Sequence, residues 1–167
     1  SNELLDAFAV KHFKKINDVW NEKFVKYDFK KKNLITKYFK ITKKNHKIFN
    51  FVDKKCNFIE FSPDIFKFVT GISKVLMNSK NNFFLTIDYG YNSERYRNSL
   101  QGLMKHKKVD IFSNQGFVDI TYLVNFNLIK SIFQKNKVSN VNISTQSDFL
   151  KKNGIIERFN QSKKLLD

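Results

Sequence analysis

The sequence is short of the residues that build disulfides and tight turns. Among 167 residues it has one cysteine, one proline and five glycines. Cys56 has no partner for an internal disulfide, so a reducing environment such as the cytosol is expected. The scarcity of glycine and proline argues against a small all-β sandwich. No apolar run approaches the roughly 18 residues that a membrane-spanning helix requires, and no signal peptide is visible.

Several common active-site patterns are missing as well. The three histidines are far apart, and with one cysteine no metal-ligand spacing exists. There is no P-loop, no dinucleotide-type glycine loop and no nucleophile elbow in the sequence. What remains is a set of polar residues at predicted strand ends and in one long segment, which could orient a cationic or amine nucleophile or accept its proton. These residues are Asn2, Glu3, Asp6, Asp88, His106 and Asp119.

Positive charge is abundant, but little of it comes from arginine. Lysine and arginine number 31 against 15 acidic residues, the net charge is +16, and arginine occurs only at positions 95, 97 and 158. Such a balance is typical of proteins that bind nucleic acid or anionic membranes. An A/T-rich genome, whose codons favour Lys, Asn, Phe and Ile, would also produce it. We weigh this second explanation above nucleic-acid binding, because phosphate readout favours arginine.

The segment 83–91, FFLTIDYGY, organises the rest of the sequence. Its unalternated apolar run predicts a parallel strand that helices bury on both faces. Ligands of open α/β sheets bind just outside the carboxyl ends of such strands, so Asp88 is expected near the chemistry. Turn capping before Gly90 is the alternative role for Asp88. A strand that ended just before residue 1 would bring three more polar residues to the same place, namely Asn2, Glu3 and Asp6. Taken alone, Asn2 and Glu3 are also typical of a capped helical turn.

Residues 8–61 are predicted to be rich in β-structure. β-Branched and aromatic residues dominate the first part, and Asn17-Asp18 interrupts them, which predicts a hairpin. Further strands are predicted over 34–41 and 58–61. Between these two strands lies a solvated basic run over 42–47, and such lysine runs commonly protect sheet edges without any ligand.

A helix is predicted to begin at Ser62, Pro63 and Asp64. Serine is a preferred N-cap, proline suits the first helical position, and an acidic residue in the first turn opposes the helix dipole. Apolar residues at helical spacing continue to Leu76. The helix then leads into the strand at 83–91, which is the second half of a βαβ crossover.

The carboxyl-side half is less regular. Residues 92–117 show no sustained period and are predicted as one long irregular segment of the kind that forms lids or binding loops. An alternating strand over 117–124 follows, and Asn125 is predicted to cap a helix. The remaining predictions are a strand through Val138, Val141 and Ile143, a short helix capped by Thr145 or Ser147 that ends at Gly154, and a helix over 155–166.

Six segments occur in an order that is found in a known family, namely NELLDA, IEFSPD, LTIDYGY, SLQGLMKHK, QGFVDITYLVNF and TQSDFLKKNGIIER. Together they resemble the MidA-like family of class I S-adenosylmethionine (SAM)-dependent methyltransferases, which includes a mitochondrial complex I assembly methyltransferase that acts on an arginine. The resemblance covers nearly the whole chain. It implies an α/β fold with a partial class I methyltransferase (Rossmann-like) sheet, flanking helices and an inserted β-hairpin region.

The resemblance divides residues 1–167 into parts of one methyltransferase domain. Residues 8–61 would be an inserted β-rich region, 62–91 a helix and central strand, 92–125 a long substrate-side segment, and 126–167 terminal helices and a strand. The family has an Asn-Glu-x-x-Asp-Ala signature, which Asn2, Glu3, Asp6 and Ala7 match. In the family, the Gly-rich cofactor loop and the ribose-binding acidic residue lie before this signature. The chain is therefore expected to be a carboxyl-side portion, inactive by itself, with an unpaired sheet edge and an exposed apolar face.

The resemblance also implies roles for individual residues. Glu3, Asp6 and Asp88 are implied as catalytic groups that orient a guanidinium and help take up its proton. Substrate-binding positions are implied for Asn2, Tyr89, Gly90, His106, Asp119 and Thr121. The sequence departs from the family pattern at four positions, with Ala9 for proline, Ser99 for threonine, Lys107 for arginine and Asn125 for aspartate.

The implied function is methyl transfer from SAM to a protein side chain, with arginine as the implied acceptor. A protein substrate is the implied partner, a respiratory complex I subunit among the candidates, and the implied location is the bacterial cytoplasm or the mitochondrial matrix. The alternative is a non-catalytic basic module that binds RNA or an acidic protein. Self-association through the exposed sheet edge is expected.

Overall fold

A computed structural model describes residues 1–41, 49, 51–53, 55–78 and 81–165. These residues form a mixed α/β structure, as predicted at that level, and none of their helices is long and apolar enough to cross a membrane. The strands are β1 (Lys11–Ile16), β2 (Val19–Asp28), β3 (Asn33–Lys40), β4 (Phe58–Phe61), β5 (Gly90–Tyr91), β6 (Gln101–Met104), β7 (Lys107–Val109), β8 (Asp119–Thr121) and β9 (Val124–Asn125). The helices are α1 (Pro63–Met77), α2 (Phe126–Lys135), α3 (Gln146–Lys152) and α4 (Ile155–Lys164).

The β-rich region forms an antiparallel sheet with the strand order β3-β2-β1-β4. Its predicted hairpin is confirmed, because β1 and β2 are joined by Asn17 and Asp18. Their φ angles of 49° and 59° are the left-handed values that a tight type I′ hairpin turn requires. The strands predicted over 34–41 and 58–61 are confirmed as β3 and β4. The basic run predicted over 42–47 lies outside the described residues.

Part of this sheet projects as a two-stranded arm. β1 pairs with β2 only as far as Glu22, whereas β3 accompanies β2 as far as Asp28. In the described part of the chain, the strands of residues 23–38 therefore pair only with each other. We call residues 23–38 the arm.

The main core lies between the two long helices and the first residues of the chain. Ser62 caps α1 by accepting a hydrogen bond from Ile65 N at 3.3 Å, as predicted. Asn125 caps α2 in the same way through Leu128 N at 3.2 Å, also as predicted. The buried residues of this core are Leu5, Ile65, Val69, Tyr122, Val124, Ile129, Ile132 and Phe133, and a second cluster under β1 and β4 contains Phe13, Ile59 and Phe61.

The segment 83–89 is extended but is not buried on both faces, so that prediction is wrong. Phe84 packs against the core, whereas Phe83 is 89% exposed and Tyr89 is 63% exposed. Among the described residues, strand pairing of segment 83–91 is limited to a bridge at Ile87 and the two-residue β5. Side chains of an extended chain point to opposite faces in turn, and only one face here has described residues packed against it. The expected exposed apolar face is therefore present.

The segment 92–117 is not one irregular loop, because it contains a hairpin. β6 and β7 pair across a two-residue turn at Lys105 and His106, whose φ angles are 49° and 61°. This turn lacks the Asn-Gly or Asp-Gly pair that usually announces such a hairpin in a sequence. The strand predicted over 117–124 is divided into β8, which pairs with β6, and β9, which pairs with β5.

The carboxyl-terminal part has its predicted helices but not its predicted strand. Thr145 caps α3, Gly154 ends it with a φ of 84°, and α4 follows. Residues 137–145 are not part of any strand in the described structure, so the strand predicted through Val138, Val141 and Ile143 is wrong. A backbone group there is bonded locally, since Val141 N donates to Ser139 O at 3.2 Å. A backbone N–H that is bonded within its own segment is not free to pair with another strand.

Candidate functional site

The first residues of the chain lie beside the extended segment that ends at Asp88. Ile87 N donates a hydrogen bond to Ser1 O at 2.9 Å, and Glu3 N donates to Ile87 O at 2.9 Å. The two segments run parallel, with Asn2 opposite Ile87. The structure thus places Asn2 and Glu3 next to Asp88, as the expected order of strand ends required.

Asp88 joins these two segments through both of its carboxylate oxygens. Oδ2 accepts a hydrogen bond from Leu5 N at 2.8 Å, and Oδ1 accepts one from Tyr89 N at 2.8 Å. Hydrogen bonds to an ionised carboxylate are stronger than those between neutral groups. Asp88 therefore fixes the turn that begins at Leu5 and carries Asp6.

Three carboxyl groups act on the Asp6 carboxyl at this edge. Burial raises the pKa of the Asp6 carboxyl above its ordinary value, and the negative charges of Asp88, Glu3 and Asp119 raise it further, while a backbone hydrogen bond opposes the rise. We call Glu3, Asp6, Asp88 and Asp119 the carboxylate cluster. Among the described residues, no three His, Cys, Asp or Glu side chains are grouped so as to hold a metal ion. Carboxyl groups gathered in this way can accept a proton or pair with an organic cation.

Two contacts fix the cluster from the inner side. Tyr122 is buried, and its hydroxyl donates a hydrogen bond to Leu5 O at 2.9 Å. Burial raises the pKa of Tyr122, so the hydroxyl stays protonated and remains a donor. At Gly90 the backbones come so close that an added Cβ would overlap the Val124 carbonyl oxygen and the Phe126 ring. These contacts leave the cluster little freedom to shift.

A cavity of about 280 Å³ adjoins the cluster. Asn2 and Glu3 line one side of it, residues 84–89 and α2 supply mainly apolar walls, and residues 141–146 supply further polar groups. Its size is near the lower end of about 300–1,000 Å³ that is usual for small-molecule sites. A mainly apolar cavity with acidic groups at one side can bind a ligand that has an apolar body and a positively charged end.

Besides Asn2, the residues predicted for substrate binding, among them Asp119 of the cluster, lie on three different segments of the chain. Tyr89 follows Asp88 directly and is mostly exposed. Asp119 and Thr121 lie on β8, where they pair with β6. His106 lies in the exposed turn between β6 and β7, and in the described structure no hydrogen bond joins it to the carboxylate cluster.

A buried acidic group that the sequence prediction missed lies behind this region. The Glu60 side chain on β4 is 1% exposed and accepts hydrogen bonds from Ser99 N at 3.1 Å, from Leu100 N at 3.0 Å and from Ser99 Oγ. It also shares a 2.7 Å hydrogen bond with His12 Nε2, and Ser99 Oγ accepts one from Leu123 N at 2.9 Å. Glu60 therefore ties β4 to the segments next to β6 and β8. A carboxylate in the middle of an apolar strand was the signal that could have identified it.

The sequence matches a family model over most of its length. Residues 1–144 match the family described as "Putative S-adenosyl-L-methionine-dependent methyltransferase". The Caenorhabditis elegans protein named as a mitochondrial protein arginine methyltransferase, NDUFAF7 homolog, is 30% identical over 166 residues. That match covers 94% of this chain and 37% of the relative, so the chain spans little more than a third of the relative's length.

Two solved structures from Burkholderia thailandensis share the fold. An uncharacterized protein matches with a TM-score of 0.79 at 22% identity, over 96% of this chain and 44% of its own. A second protein, solved with S-adenosyl-homocysteine bound, matches with a TM-score of 0.60 at 21% identity, over 81% of this chain and 36% of its own. At these identities the likeness shows the fold alone.

Proposed function

The chain belongs to this family of S-adenosyl-L-methionine-dependent methyltransferases, and from that premise we propose that it forms the substrate side of a protein methyltransferase site. The observation that carries the proposal is the carboxylate cluster, in which acidic groups gather within a chain of net charge +16. Such a local reversal of charge suits a positively charged methyl acceptor. We propose arginine, because its guanidinium stays charged at neutral pH and the C. elegans relative is an arginine methyltransferase by name.

We further propose that the extended segments belong to a Rossmann-like sheet. Residues 1–3 run parallel to 85–87, and β5 runs parallel to β9. Ligands of such sheets bind outside the carboxyl ends of parallel strands, which is where the cluster lies. In this arrangement residues 8–61 are an insertion and 92–125 are the substrate-side segment.

The chemistry of the cluster fits one end of the cofactor. SAM carries a positively charged sulfonium, and the carboxylates next to Asn2 and Glu3 supply the opposite charge. We propose that Asn2, Glu3 and the neighbouring carboxylates would contact only the sulfonium end of the cofactor. When bound, the cofactor supplies an electrophilic methyl group.

The acidic residues are proposed to have different tasks. Asp6 accepts the proton that the guanidinium loses, because its raised pKa makes it a better general base than an ordinary aspartate. Glu3 is exposed at the rim and orients the guanidinium through charge-assisted hydrogen bonds. Asp88 holds Asp6 in place through Leu5 N.

The three-stranded sheet of β6, β7 and β8 is proposed as one wall of the substrate mouth. Asp119 and Thr121 would contact the substrate from β8, and exposed Tyr89 would contact it beside the cluster. His106, in the β6–β7 turn, would bind the substrate polypeptide away from the acceptor nitrogen. Gly90 contributes by allowing the close approach of β5 to β9.

A protein is the proposed methyl acceptor, and the mitochondrial matrix or a bacterial cytoplasm is the proposed location, since the C. elegans relative is mitochondrial by name. A complex I subunit and a nucleic acid gain no support from the comparisons. The alternative of a non-catalytic binding module gains none either.

The proposal is tested in the complete protein by methyl transfer from radiolabelled SAM to two peptide pools, one with arginine and one with lysine at the centre. The arginine pool is expected to be labelled. General bases typically contribute factors of about 10²–10⁴ to rate, so Asp6→Asn should lower kcat at least about a hundredfold. Glu3→Gln should mainly raise the KM for the arginine pool, because its task is orientation.

Binding of S-adenosyl-homocysteine, measured by calorimetry, distinguishes lost chemistry from a damaged fold. Asp6→Asn should retain this binding, and Glu157→Gln, an exposed acidic position on α4, should leave kcat and KM unchanged. A full rate with Asp6→Asn would remove Asp6 from the mechanism. Labelling of the lysine pool alone would overturn arginine as the acceptor.

A further inference from the structure

The arm carries an exposed apolar and basic surface that the proposed methyl transfer does not use. Phe29 is 82% exposed at its tip, Val25 is 57% exposed, and Phe24 and Tyr27 are 45% and 43% exposed. The arm has six lysines and one acidic residue, namely Lys23, Lys26, Lys30, Lys31, Lys32, Lys37 and Asp28. Exposed aromatic rings beside unbalanced positive charge indicate a binding surface rather than ordinary solvation.

The tip of the arm is held in one conformation. Asp28 Oδ1 accepts hydrogen bonds from Lys30 N at 2.9 Å and Lys31 N at 3.2 Å, which forms an Asx turn. Phe29 contacts Tyr27 edge to face, with ring centroids 5.1 Å apart and planes at 83°. A preformed tip loses little conformational entropy when it binds.

We propose that the tip of the arm docks on a membrane surface that contains anionic lipids. Phe29 would enter the boundary between headgroups and acyl chains, while the lysines that follow it would stay among the negatively charged headgroups. The aromatic residue and the three lysines are adjacent in sequence, so the same turn presents both kinds of contact. The docking is peripheral, because only the tip of the arm enters the boundary between headgroups and acyl chains.

The composition of the arm favours a membrane over a single-stranded nucleic acid. The arm contains no arginine, which is the residue best suited to forked phosphate contacts. Attraction to an anionic bilayer depends on the number of nearby charges, so lysine serves equally well.

The test is sedimentation of the protein with phosphatidylcholine vesicles, and with vesicles that contain equal parts of phosphatidylcholine and phosphatidylserine. Binding is expected only to the second kind and should weaken as salt rises. Each lysine near an anionic surface strengthens binding by a factor of about five, so Lys30→Gln/Lys31→Gln/Lys32→Gln should weaken it about a hundredfold. Phe29→Ser should weaken it about tenfold through the lost apolar contact.

Matched control variants exist elsewhere in the chain. Lys105→Gln/Lys107→Gln/Lys108→Gln removes three exposed lysines from the β6–β7 hairpin. Phe117→Ser removes a phenylalanine that is 82% exposed, as Phe29 is. Both controls should bind the mixed vesicles as the unaltered protein does. Circular dichroism should show that every variant is folded.

Entry of the tip into the bilayer has its own readout. The fluorescence of Phe29→Trp should shift to shorter wavelength with the mixed vesicles, and that of Phe117→Trp should not. Equal losses of vesicle binding in the lysine variants of the arm and of the β6–β7 hairpin would overturn the proposal, because positive charge anywhere on the surface would then explain binding. So would binding of a single-stranded RNA without vesicle binding, or a dimer that depends on Phe29 without vesicle binding. None of these outcomes bears on methyl transfer.

Discussion

The carboxylate cluster and the arm differ in the sign of their charge and in how firmly the charged side chains are held. In the cluster, backbone groups from different segments hold Asp88 on both oxygens, and Glu60 anchors the neighbouring sheet from behind. In the arm, lysines extend from a ribbon whose strands, in the described part of the chain, pair only with each other. Catalytic groups must be positioned to within about an ångström, whereas long-range attraction depends mainly on the amount of charge. The rigidly held acids therefore suit the proposed catalysis, and the exposed lysines suit the proposed attraction to a charged surface.

If the cluster depends on rigid support, Glu60→Ala should have the largest effect on stability. The change leaves His12 and the backbone N–H groups of Ser99 and Leu100 without their buried partner. Removing one partner of a buried charged network lowers the free energy of unfolding by about 3–5 kcal/mol. Urea unfolding, followed by the fluorescence of Trp20, measures this loss.

The control for Glu60 is Glu94→Ala, which removes an exposed glutamate and should change the free energy of unfolding by no more than about 0.5 kcal/mol. If Glu60→Ala does not fold, Glu60→Gln retains one acceptor oxygen and should give a measurable, smaller loss. Equal free energies of unfolding for the Glu60 and Glu94 variants would show that Glu60 does not stabilise the segments that support the carboxylate cluster.

The next largest effect is expected from Asp88→Asn. The asparagine keeps one acceptor oxygen but places an NH2 group opposite a backbone N–H, so one of the two hydrogen bonds is lost. Because one of these hydrogen bonds is exposed and the other is part-buried, the loss should lower the free energy of unfolding by only about 1 kcal/mol. The pKa of Asp6 should also fall, because a neighbouring negative charge is removed. Urea unfolding and an NMR titration of Asp6 test the two expectations.

Asp64→Asn is the matched control for Asp88→Asn. Asp64 lies on the exposed side of α1, and its Oδ1 is 3.2 Å from Lys67 Nζ. The variant should change the free energy of unfolding by no more than about 0.5 kcal/mol and should leave the Asp6 titration unchanged. An unchanged pKa of Asp6 in Asp88→Asn would show that the two carboxyl groups are not coupled.

The features that were predictable from the sequence are those whose information is local. Asn17-Asp18, Ser62 and Asn125 determine a turn and two caps through groups no more than three residues away. The meeting of Asn2 and Glu3 with Asp88 was also predictable, because parallel strands end at the same edge of a sheet.

The features that were missed depend on distant packing. Whether the apolar run 83–89 is covered on one face or two is decided by other segments, and its composition is the same in both cases. The turn at Lys105 and His106 is stabilised by strand pairing on both sides and has no turn signal of its own. Glu60 is explained only by its partners at Ser99 and Leu100, some forty residues later.

Asp6→Asn should have a small effect whose sign depends on pH. Because the pKa of Asp6 is raised above its ordinary value of 3.8, folding favours the protonated form. The stability that Asp6 provides is therefore fully present below pH 3.8 and is lost as pH rises through its higher folded pKa. Asp6→Asn should match the unaltered protein in acid and unfold at a slightly higher temperature near neutral pH. Thermal unfolding at both pH values measures this. A lower unfolding temperature near neutral pH would show that Asp6 is stabilising, and its proposed role as a strained base would fail.

The smallest effect on stability should come from the arm, with Lys30→Gln/Lys31→Gln/Lys32→Gln. The hydrogen bonds of the tip use the backbone N–H groups of Lys30 and Lys31, which glutamine retains, so the free energy of unfolding should stay within about 0.5 kcal/mol. Asp28→Ala removes the acceptor itself and should lower it by about 0.5–1.5 kcal/mol. Urea unfolding of both variants decides the matter. If the lysine variant lost as much as Asp28→Ala, the lysines would be structural, and the contrast between the rigidly held acids and the exposed lysines would not hold.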